Sequence, residues 1–254
     1  MYKLGDTEKV AEFFSSMEDT MIWSCLERTM GSIYVDNLRE PRSAMALLGD
    51  FCFLAGEADE ALAGFKPPFC EQEFVIMVPG NEAWETAVET VYGSRARQVR
   101  RFATKKEEHV WDLEKLETIV SMLPDEYELK IIDRDIYHYA QEHSWARDWV
   151  SQFPDYESYE KNGLGVAVQK DGIPVSGASS YSWYSRGIEI EIDTHEEFRR
   201  KGLATVCGAR LILECEKRGL YPGWDAQNPW SLALAEKLGY HFDKAYTAYE
   251  IWGY

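Results

Sequence analysis

The sequence contains no apolar run near the ~20 residues that a membrane-spanning helix requires, and its first residues do not form the apolar core of a secretory signal. Metal-binding spacings are absent as well. The five cysteines form no Cys-x-x-Cys pair, and the five histidines form neither His-x-x-x-His nor His-Glu-x-x-His. Internal repeats and low-complexity segments are also lacking. We therefore expect a soluble cytoplasmic protein that binds no metal.

Basic residues are scarce, because 27 Lys and Arg stand against 44 Asp and Glu, for a net charge of −17. This charge disfavours nonspecific binding to nucleic acid or to an anionic membrane. It suits a cationic substrate, although solubility alone accounts for it equally well. The odd number of cysteines indicates free thiols in a reducing compartment. The 254 residues, 45% of them hydrophobic, are enough for one large domain or two of ordinary size.

The turn Arg199–Ala204 is the most informative segment. It follows an acidic strand pattern, Ile188–Asp193, and precedes a helix pattern, Leu203–Arg218, that ends in basic residues followed by Gly219. The first amides of a helix have no intrahelical partner and lie in positive potential. Because Gly202 and Ala204 have almost no side chain, a phosphate can approach the backbone closely. The sequence therefore predicts an anion site, with an ordinary solvated helix start as the alternative.

A second motif lies downstream of the turn. The segment Trp224-Asp225-Ala226-Gln227-Asn228-Pro229-Trp230-Ser231 is followed by Glu236-Lys237-Leu238-Gly239-Tyr240. Asn228 has the position of a helix N-cap, with Pro229 at the first helical position and Gly239 past the end. The segment predicts a strand over Tyr221–Ala226 and a helix after Asn228.

The two motifs together resemble the GNAT superfamily of acetyl-CoA-dependent N-acyltransferases, in which Q/R-x-x-G-x-G/A precedes N-x-x-S and K-L-G-F/Y. The resemblance covers roughly residues 127–254, and the motifs of this chain are similar to those of the zwittermicin-resistance-like branch. It implies a mixed, mostly antiparallel sheet flanked by helices, an α/β (α+β) fold. It also implies acetyl-CoA as cosubstrate, and cofactor-binding residues at Ile192, Asp193, Arg199, Arg200, Lys201, Gly202, Leu203, Ala204, Asn228 and Ser231.

Within this set, the resemblance implies three kinds of contact. The basic turn binds the pyrophosphate, and main-chain groups of the splayed strand pair with pantetheine. Asn228 and Ser231 face the pantetheine arm, and Asn228 also caps its helix.

The acidic strand supplies candidates for the general base. Glu189, Glu191 and Asp193 alternate and so share one face of the strand, which is by itself usually a solvated face. In the resembled family such a carboxylate often deprotonates the acceptor amine, directly or through water. Glu189 is our first candidate and Glu191 the second.

The sequence departs from the family at the general acid. The family often has a tyrosine four residues after the serine, where this chain has Ala235. Tyr246 and Tyr249 are possible substitutes, with β-strand packing as the simpler interpretation. Tyr240 is expected in the core.

The chain divides near Pro124, into an N-terminal α/β region, residues 1–125, and an acetyltransferase domain, residues 126–254. The first region shows strand patterns at 32–36, 44–54 and 74–78 and helix patterns at 82–92 and 111–122. It could be a degenerate copy of the acyltransferase fold, a lid or a dimerisation element, so a homodimer stays open. In the second, a hairpin around Asp171-Gly172 is predicted, with a strand over Tyr127–Asp133 and helices over Ile136–His143 and Arg147–Lys161.

Two functions follow from these motifs. The first is transfer of an acetyl group from acetyl-CoA to an amine of a small molecule, such as an amine-bearing antibiotic, by direct attack in a ternary complex. The alternative is a noncatalytic acyl-CoA-binding or regulatory protein on the same scaffold, which Ala235 keeps open.

Overall fold

The computed structural model describes residues 1–68 and 70–254. Two compact units can be distinguished. The first comprises Met1–Phe102 and Lys244–Tyr254, and the second is Ala103–Asp243.

The first unit contains a sheet in which the strands follow the order β1-β2-β3-β4-β5-β13-β6. The β4–β5 pair is parallel, whereas β1–β2, β2–β3, β3–β4 and β5–β13 are antiparallel. Trp84 and Tyr249 lie fully buried in its core with Leu54 and Met77. The elements are β1 Tyr2–Lys3, α1 Thr20–Glu27, β2 Ser32–Val35, β3 Ser43–Leu48, β4 Phe51–Gly56, α2 Glu60–Ala63, β5 Phe74–Pro79, α3 Glu82–Tyr92, β6 Ala96–Thr104 and β13 Phe242–Trp252, with 3-10 turns at Thr7–Phe14 and Gly93–Arg95.

The second unit contains a five-stranded sheet of order β11-β10-β9-β8-β7, in which β10–β11 is parallel and the other pairs are antiparallel. The expected mixed, mostly antiparallel α/β fold is confirmed. The elements are α4 Leu113–Ser121, β7 Tyr127–Ile131, α5 Arg134–Glu142, α6 Tyr156–Asn162, β8 Gly165–Lys170, β9 Ile173–Tyr184, β10 Gly187–Thr194, α7 Leu203–Arg218, β11 Tyr221–Gly223, β12 Asp225–Ala226 and α8 Pro229–Leu238, with 3-10 turns at Arg147–Trp149 and Glu196–Phe198.

These units do not follow the sequence-based division at residue 125. The segment 103–125 lies in the second unit because α4 packs against α7. The chain returns to the first unit at its end because β13 pairs with β5 through Tyr249–Trp252.

Local sequence explains the elements nearest the acidic strand. Asp171 and Gly172 both have positive φ, 52° and 80°, which is the backbone of the tight turn predicted between β8 and β9. The α7 helix runs over the predicted Leu203–Arg218, and Gly219 ends it in the left-handed conformation. None of the helices in the described residues is long and apolar enough to cross a bilayer.

Three expectations need correction. The apolar stretch 44–54 is a hairpin of β3 and β4, because Gly49 turns the chain with φ 57°. The predicted strand Tyr221–Ala226 is two strands, β11 and β12, and β12 does not belong to the five-stranded sheet. The predicted helix Arg147–Lys161 is a 3-10 turn followed by α6, which Asp155 caps through the amide of Ser158.

The two units share an element order. In the first, β1 is followed by helical segments, three antiparallel strands β2-β3-β4, α2, a strand β5 parallel to β4, and α3. In the second, β7 is followed by α5 and α6, three antiparallel strands β8-β9-β10, α7, a strand β11 parallel to β10, and α8.

Candidate active site

The two parallel strands of the second unit separate after a short pairing. Gly187–Glu189 of β10 pairs with Tyr221–Gly223 of β11, whereas β10 continues to Thr194 along β9 alone. A β-bulge in the β9–β10 register lies between Glu189 and Ile190, at the same point. The resemblance implied a strand that splays from its neighbour, and β10 separates from β11 in this way, which leaves one edge of β10 without β11 from Ile190 onward.

Glu189 lies at the point of divergence. Its side chain is only 4% exposed, and its Oε1 accepts a hydrogen bond from the Asp225 amide at 2.8 Å. The cross-strand neighbour of Glu189 is Ser182, whose buried hydroxyl has no hydrogen-bond partner in the part of the chain that the structure describes. A buried carboxylate and a buried unsatisfied hydroxyl thus lie side by side where the strands separate.

Glu191 and Asp193 continue the acidic face of β10 and are half-buried. Oε1 of Glu191 accepts from the Ile192 amide at 3.2 Å. Burial and the negative charge of Asp148 raise the pKa of the Asp193 carboxyl to about 6, against the opposing effects of a hydrogen bond with Glu191 and the charge of Arg199. Asp148 was not identified from the sequence, because only folding brings its 3-10 turn to β10.

Aromatic rings cover the same face. A side chain added at Gly177, the cross-strand partner of Asp193, would meet the Trp149 indole at 2.7 Å. Trp145 makes edge-to-face contacts with Trp149 and His195, with ring centroids 5.0 and 5.4 Å apart. Indole Nε1 of Trp149 and Nδ1 of His195 are buried and have no hydrogen-bond partner among the described residues. Aromatic rings and two buried polar nitrogen atoms without a described partner thus lie near Asp193.

The turn before α7 is open around Gly202. Gly202 caps the helix with φ 82°, and a side chain added there would meet no atom within 4 Å. Arg200 also has a positive φ, 62°. Nε of Arg199 donates to the Thr194 carbonyl at 3.1 Å, which ties the turn to the end of β10. Lys201 lies over the Phe198 ring at 4.5 Å.

The residues after Gly202 differ in their exposure. Leu203 is buried under the turn and Ala204 is half-buried. No side chain caps this helix, so its first amides face outward without an internal partner.

The helix of the first unit that matches α7 has a capped N-terminus. The four-residue α2 has Asp59 at its N-cap, and the Asp59 carboxylate accepts from the amides of Ala61 and Leu62 at 2.8 and 3.3 Å. The strands β4 and β5 pair over four residues, Phe51–Leu54 with Ile76–Pro79. A helix N-terminus that a carboxylate already caps does not attract a phosphate. Of the two matching helices, α2 and α7, only α7 therefore begins at an uncapped turn.

Asn228 and Ser231 lie at the start of α8, as expected. The Asn228 side chain accepts from the Ser231 amide at 2.9 Å, which is an N-cap. The Ser231 hydroxyl accepts from indole Nε1 of Trp224 at 3.1 Å. Trp224 belongs to the downstream sequence motif, but its contact with Ser231 was not predicted.

Tyr240, which was expected in the core, and Tyr249, one of the two possible substitutes for the general acid, are engaged elsewhere. The hydroxyl of buried Tyr240 donates to the Pro222 carbonyl at 2.7 Å, and burial raises its pKa well above the ordinary value. Tyr249 lies in the core of the first unit and donates to Glu89 at 2.8 Å. Ala235 is fully buried and offers no donor.

Comparison with known proteins places this geometry in a family. The family model for GNAT acetyltransferase matches residues 11–249. A solved GCN5-related N-acetyltransferase-like protein from Streptococcus suis is 47% identical, with a TM-score of 0.91 over 97% of this chain and 98% of that one. The uncharacterized N-acetyltransferase YdfB of Bacillus subtilis is 26% identical over 240 residues, 91% of this chain and 89% of the relative.

A more distant solved structure, a GCN5-related N-acetyltransferase from Kribbella flavida, shares the fold at 15% identity, with a TM-score of 0.52 over 93% of this chain and 96% of that one. The chain belongs to the GNAT acetyltransferase family and is an acyltransferase. The family uses acetyl-CoA, and the family model spans both units rather than residues 127–254 alone.

Proposed function

We propose that the second unit transfers the acetyl group of acetyl-CoA to an amine of a small molecule, by direct attack in a ternary complex. The observation that carries this proposal is the separation of β10 from β11 at Glu189, next to a helix start that no side chain caps. A gap between strands admits an extended acyl arm, and an open helix start admits its phosphates.

The proposed cofactor site runs from α7 to α8. Amides at Gly202, Leu203 and Ala204 bind the pyrophosphate, and the side chains of Arg199, Arg200 and Lys201 add charge-assisted contacts. Main-chain groups of Ile192 and Asp193 lie on the β10 edge that β11 leaves, and pair with pantetheine. Asn228 and Ser231 contact it from the other side of the gap.

The first unit is, in this proposal, a degenerate copy of the same fold. Its matching element order supports this, as does the Asp59 cap. The copy keeps the topology and has lost the open helix start.

Glu189 is the proposed general base, with Glu191 second. An amine attacks a thioester only as the free base, so a proton must leave it during the reaction. Glu189 has the required position, since it is buried at the divergence beside the Ser182 hydroxyl. That hydroxyl can hold a water between the carboxylate and the amine.

The acceptor is proposed to be a cationic amine, and an amine-bearing antibiotic of the zwittermicin type is one candidate. Asp148, Asp193 and Glu191 attract a cation, and the Trp145 indole, which contacts His195, offers a face for it. The net charge of −17 favours the same substrates.

Turnover tests this function. The protein is incubated with acetyl-CoA and a panel of amines that includes polyamines, aminoglycosides and aminopolyols, and released CoA and acetylated product are measured. We expect N-acetylation of at least one cationic small molecule. Exclusive O-acetylation, or acetylation confined to protein amines, would contradict the proposal.

A further inference from the structure

We infer that Ser231 is the hydrogen-bond donor to the sulfur of the thioester, and that Trp224 orients its hydroxyl for this purpose. The inference rests on the proposed function, because it concerns the leaving group of that reaction. It assigns a role at the position where the chain lacks the usual tyrosine.

The contacts of Ser231 restrict the direction in which its hydroxyl hydrogen points. Trp224 donates its indole hydrogen to Ser231 Oγ at 3.1 Å, so this side of the oxygen serves as acceptor. The backbone amide of Ser231 is separately bound to Asn228 at 2.9 Å. In the part of the chain that the structure describes, the hydroxyl hydrogen has no protein acceptor. It is therefore available to a ligand, on the side away from the indole.

Trp224 is itself held firmly. Its carbonyl accepts from the Thr104 hydroxyl at 2.7 Å, and its side chain is 2% exposed, with the ring centroid 5.5 Å from that of Tyr240. A buried indole with a fixed backbone cannot turn away from Ser231 without leaving its N–H unsatisfied, which is costly. The donor that orients the serine is thus preorganised.

The same segment also holds the proposed base. Asp225, the residue after Trp224, donates its amide to Glu189 at 2.8 Å. Two consecutive residues therefore connect Glu189, which takes the amine proton, with Ser231, which faces the leaving sulfur. Glu189 lies on β10 and Ser231 lies on α8, so the segment Trp224–Asp225 links the two elements through these hydrogen bonds.

The position of Ser231 in α8 suits a developing negative charge. Ser231 is the third residue of the helix, where the macrodipole favours an anion. Ala235 lies one turn later, fully buried, and its methyl group cannot donate. A donor for the sulfur has to come from the first turn, and Ser231 supplies one.

The step conserves atoms and charge. The amine nitrogen forms a bond to the carbonyl carbon, and its proton passes to Glu189. The C–S bond then breaks, and sulfur leaves with the electron pair as a thiolate that accepts a hydrogen bond from Ser231. Ser231 keeps its proton, and the thiolate is protonated later by solvent.

Binding of CoA and of desulfo-CoA, which lacks the sulfur atom, tests this inference without turnover. Both affinities are measured by calorimetry for the wild-type protein, Ser231→Ala and Trp224→Phe, near pH ~8.5, the ordinary pKa of a thiol. Ser231→Ala keeps the backbone amide that binds Asn228, so the cap is retained. Ser121→Ala is the matched control, since the Ser121 hydroxyl bonds the Thr118 carbonyl within α4.

We expect Ser231→Ala to weaken CoA binding by about 10-fold or more, as for loss of a hydrogen bond to a charged group. The affinity for desulfo-CoA should stay unchanged. The loss of affinity for CoA should shrink at lower pH, because the thiolate becomes protonated. Trp224→Phe should give a smaller loss of the same kind, and Ser121→Ala none. Acetyl transfer by Ser231→Ala should be ~10- to 100-fold slower in kcat.

Equal losses for CoA and desulfo-CoA would assign Ser231 to holding pantetheine and overturn the inference. So would unchanged binding of both ligands by Ser231→Ala. Failure of the wild-type protein to bind either ligand is a different result, because it removes the proposed function itself.

Discussion

Gly202→Ala is the substitution that separates phosphate binding from stability. Gly202 starts α7 with φ 82°, and Gly219 ends the same helix with φ 64°. A side chain added at either glycine meets no atom within 4 Å. The two alanine variants therefore carry the same kind of backbone strain and no steric clash, while only Gly202 lies at the proposed pyrophosphate site.

The magnitudes follow from this matched geometry. Holding an alanine in the left-handed region costs about 1–2 kcal/mol, which lowers the melting temperature by ~2–4 °C per kcal/mol for a chain of this size. Both variants should lose this amount. A methyl group at residue 202 also keeps a phosphate from the first amides of α7, and one charge-assisted hydrogen bond contributes ~1.5–3 kcal/mol. Gly202→Ala should thus bind acetyl-CoA about 10- to 100-fold more weakly.

The assay is calorimetric titration with acetyl-CoA, together with thermal melts with and without ligand. Ligand at 100 times its Kd should stabilise the wild-type protein and Gly219→Ala by about 2.7 kcal/mol. Gly202→Ala should show much less stabilisation at the same concentration. Equal affinity in both alanine variants would refute the reasoning, because the turn would then contribute no close phosphate contact.

Two further predictions concern the acidic strand. Glu189→Gln keeps an oxygen that can accept from the Asp225 amide but removes the base, so kcat should fall by a factor of ~10²–10⁴, with little change in acetyl-CoA binding. This loss of kcat should shrink as the pH approaches the pKa of the amine. Near wild-type rates at neutral pH in both Glu189→Gln and Glu191→Gln would exclude a base on this strand. The pKa of Asp193 is about 6 in the folded protein, against an ordinary value of 3.8. The folded state therefore binds this proton more tightly than the unfolded state, and the free energy of unfolding falls as the pH rises from 3.8 to about 6. Asp193→Asn should therefore stabilise the protein by about 1–3 kcal/mol at neutral pH and not below pH ~4, measured by denaturant melts; an equal effect at both pH values would contradict this.

The elements that local chemistry determines were predictable from the sequence. The bounds of α7, the Asn228 cap and the Asp171-Gly172 turn depend on glycines of positive φ and on capping side chains that neighbours in sequence supply. The family motifs then predict which turn binds the cofactor.

Elements that depend on distant partners were not predictable. Strand β6 carries arginines in place of an alternating apolar pattern, and α1 ends at Arg28 in the left-handed region rather than at a glycine. The contact of Trp224 with Ser231 and the charge of Asp148 near Asp193 arise only when separate elements pack. No local pattern records such contacts.

The most direct test is a crystal structure of the protein with CoA. We predict that the pyrophosphate lies on the amides that follow Arg200 and that the pantetheine lies between β10 and α8. The sulfur should lie within hydrogen-bond distance of Ser231 Oγ, and Glu189 should face the position of the thioester carbon. CoA bound in the first unit near Asp59, or closure of the gap by pairing of β10 with residues 224–226, would contradict it.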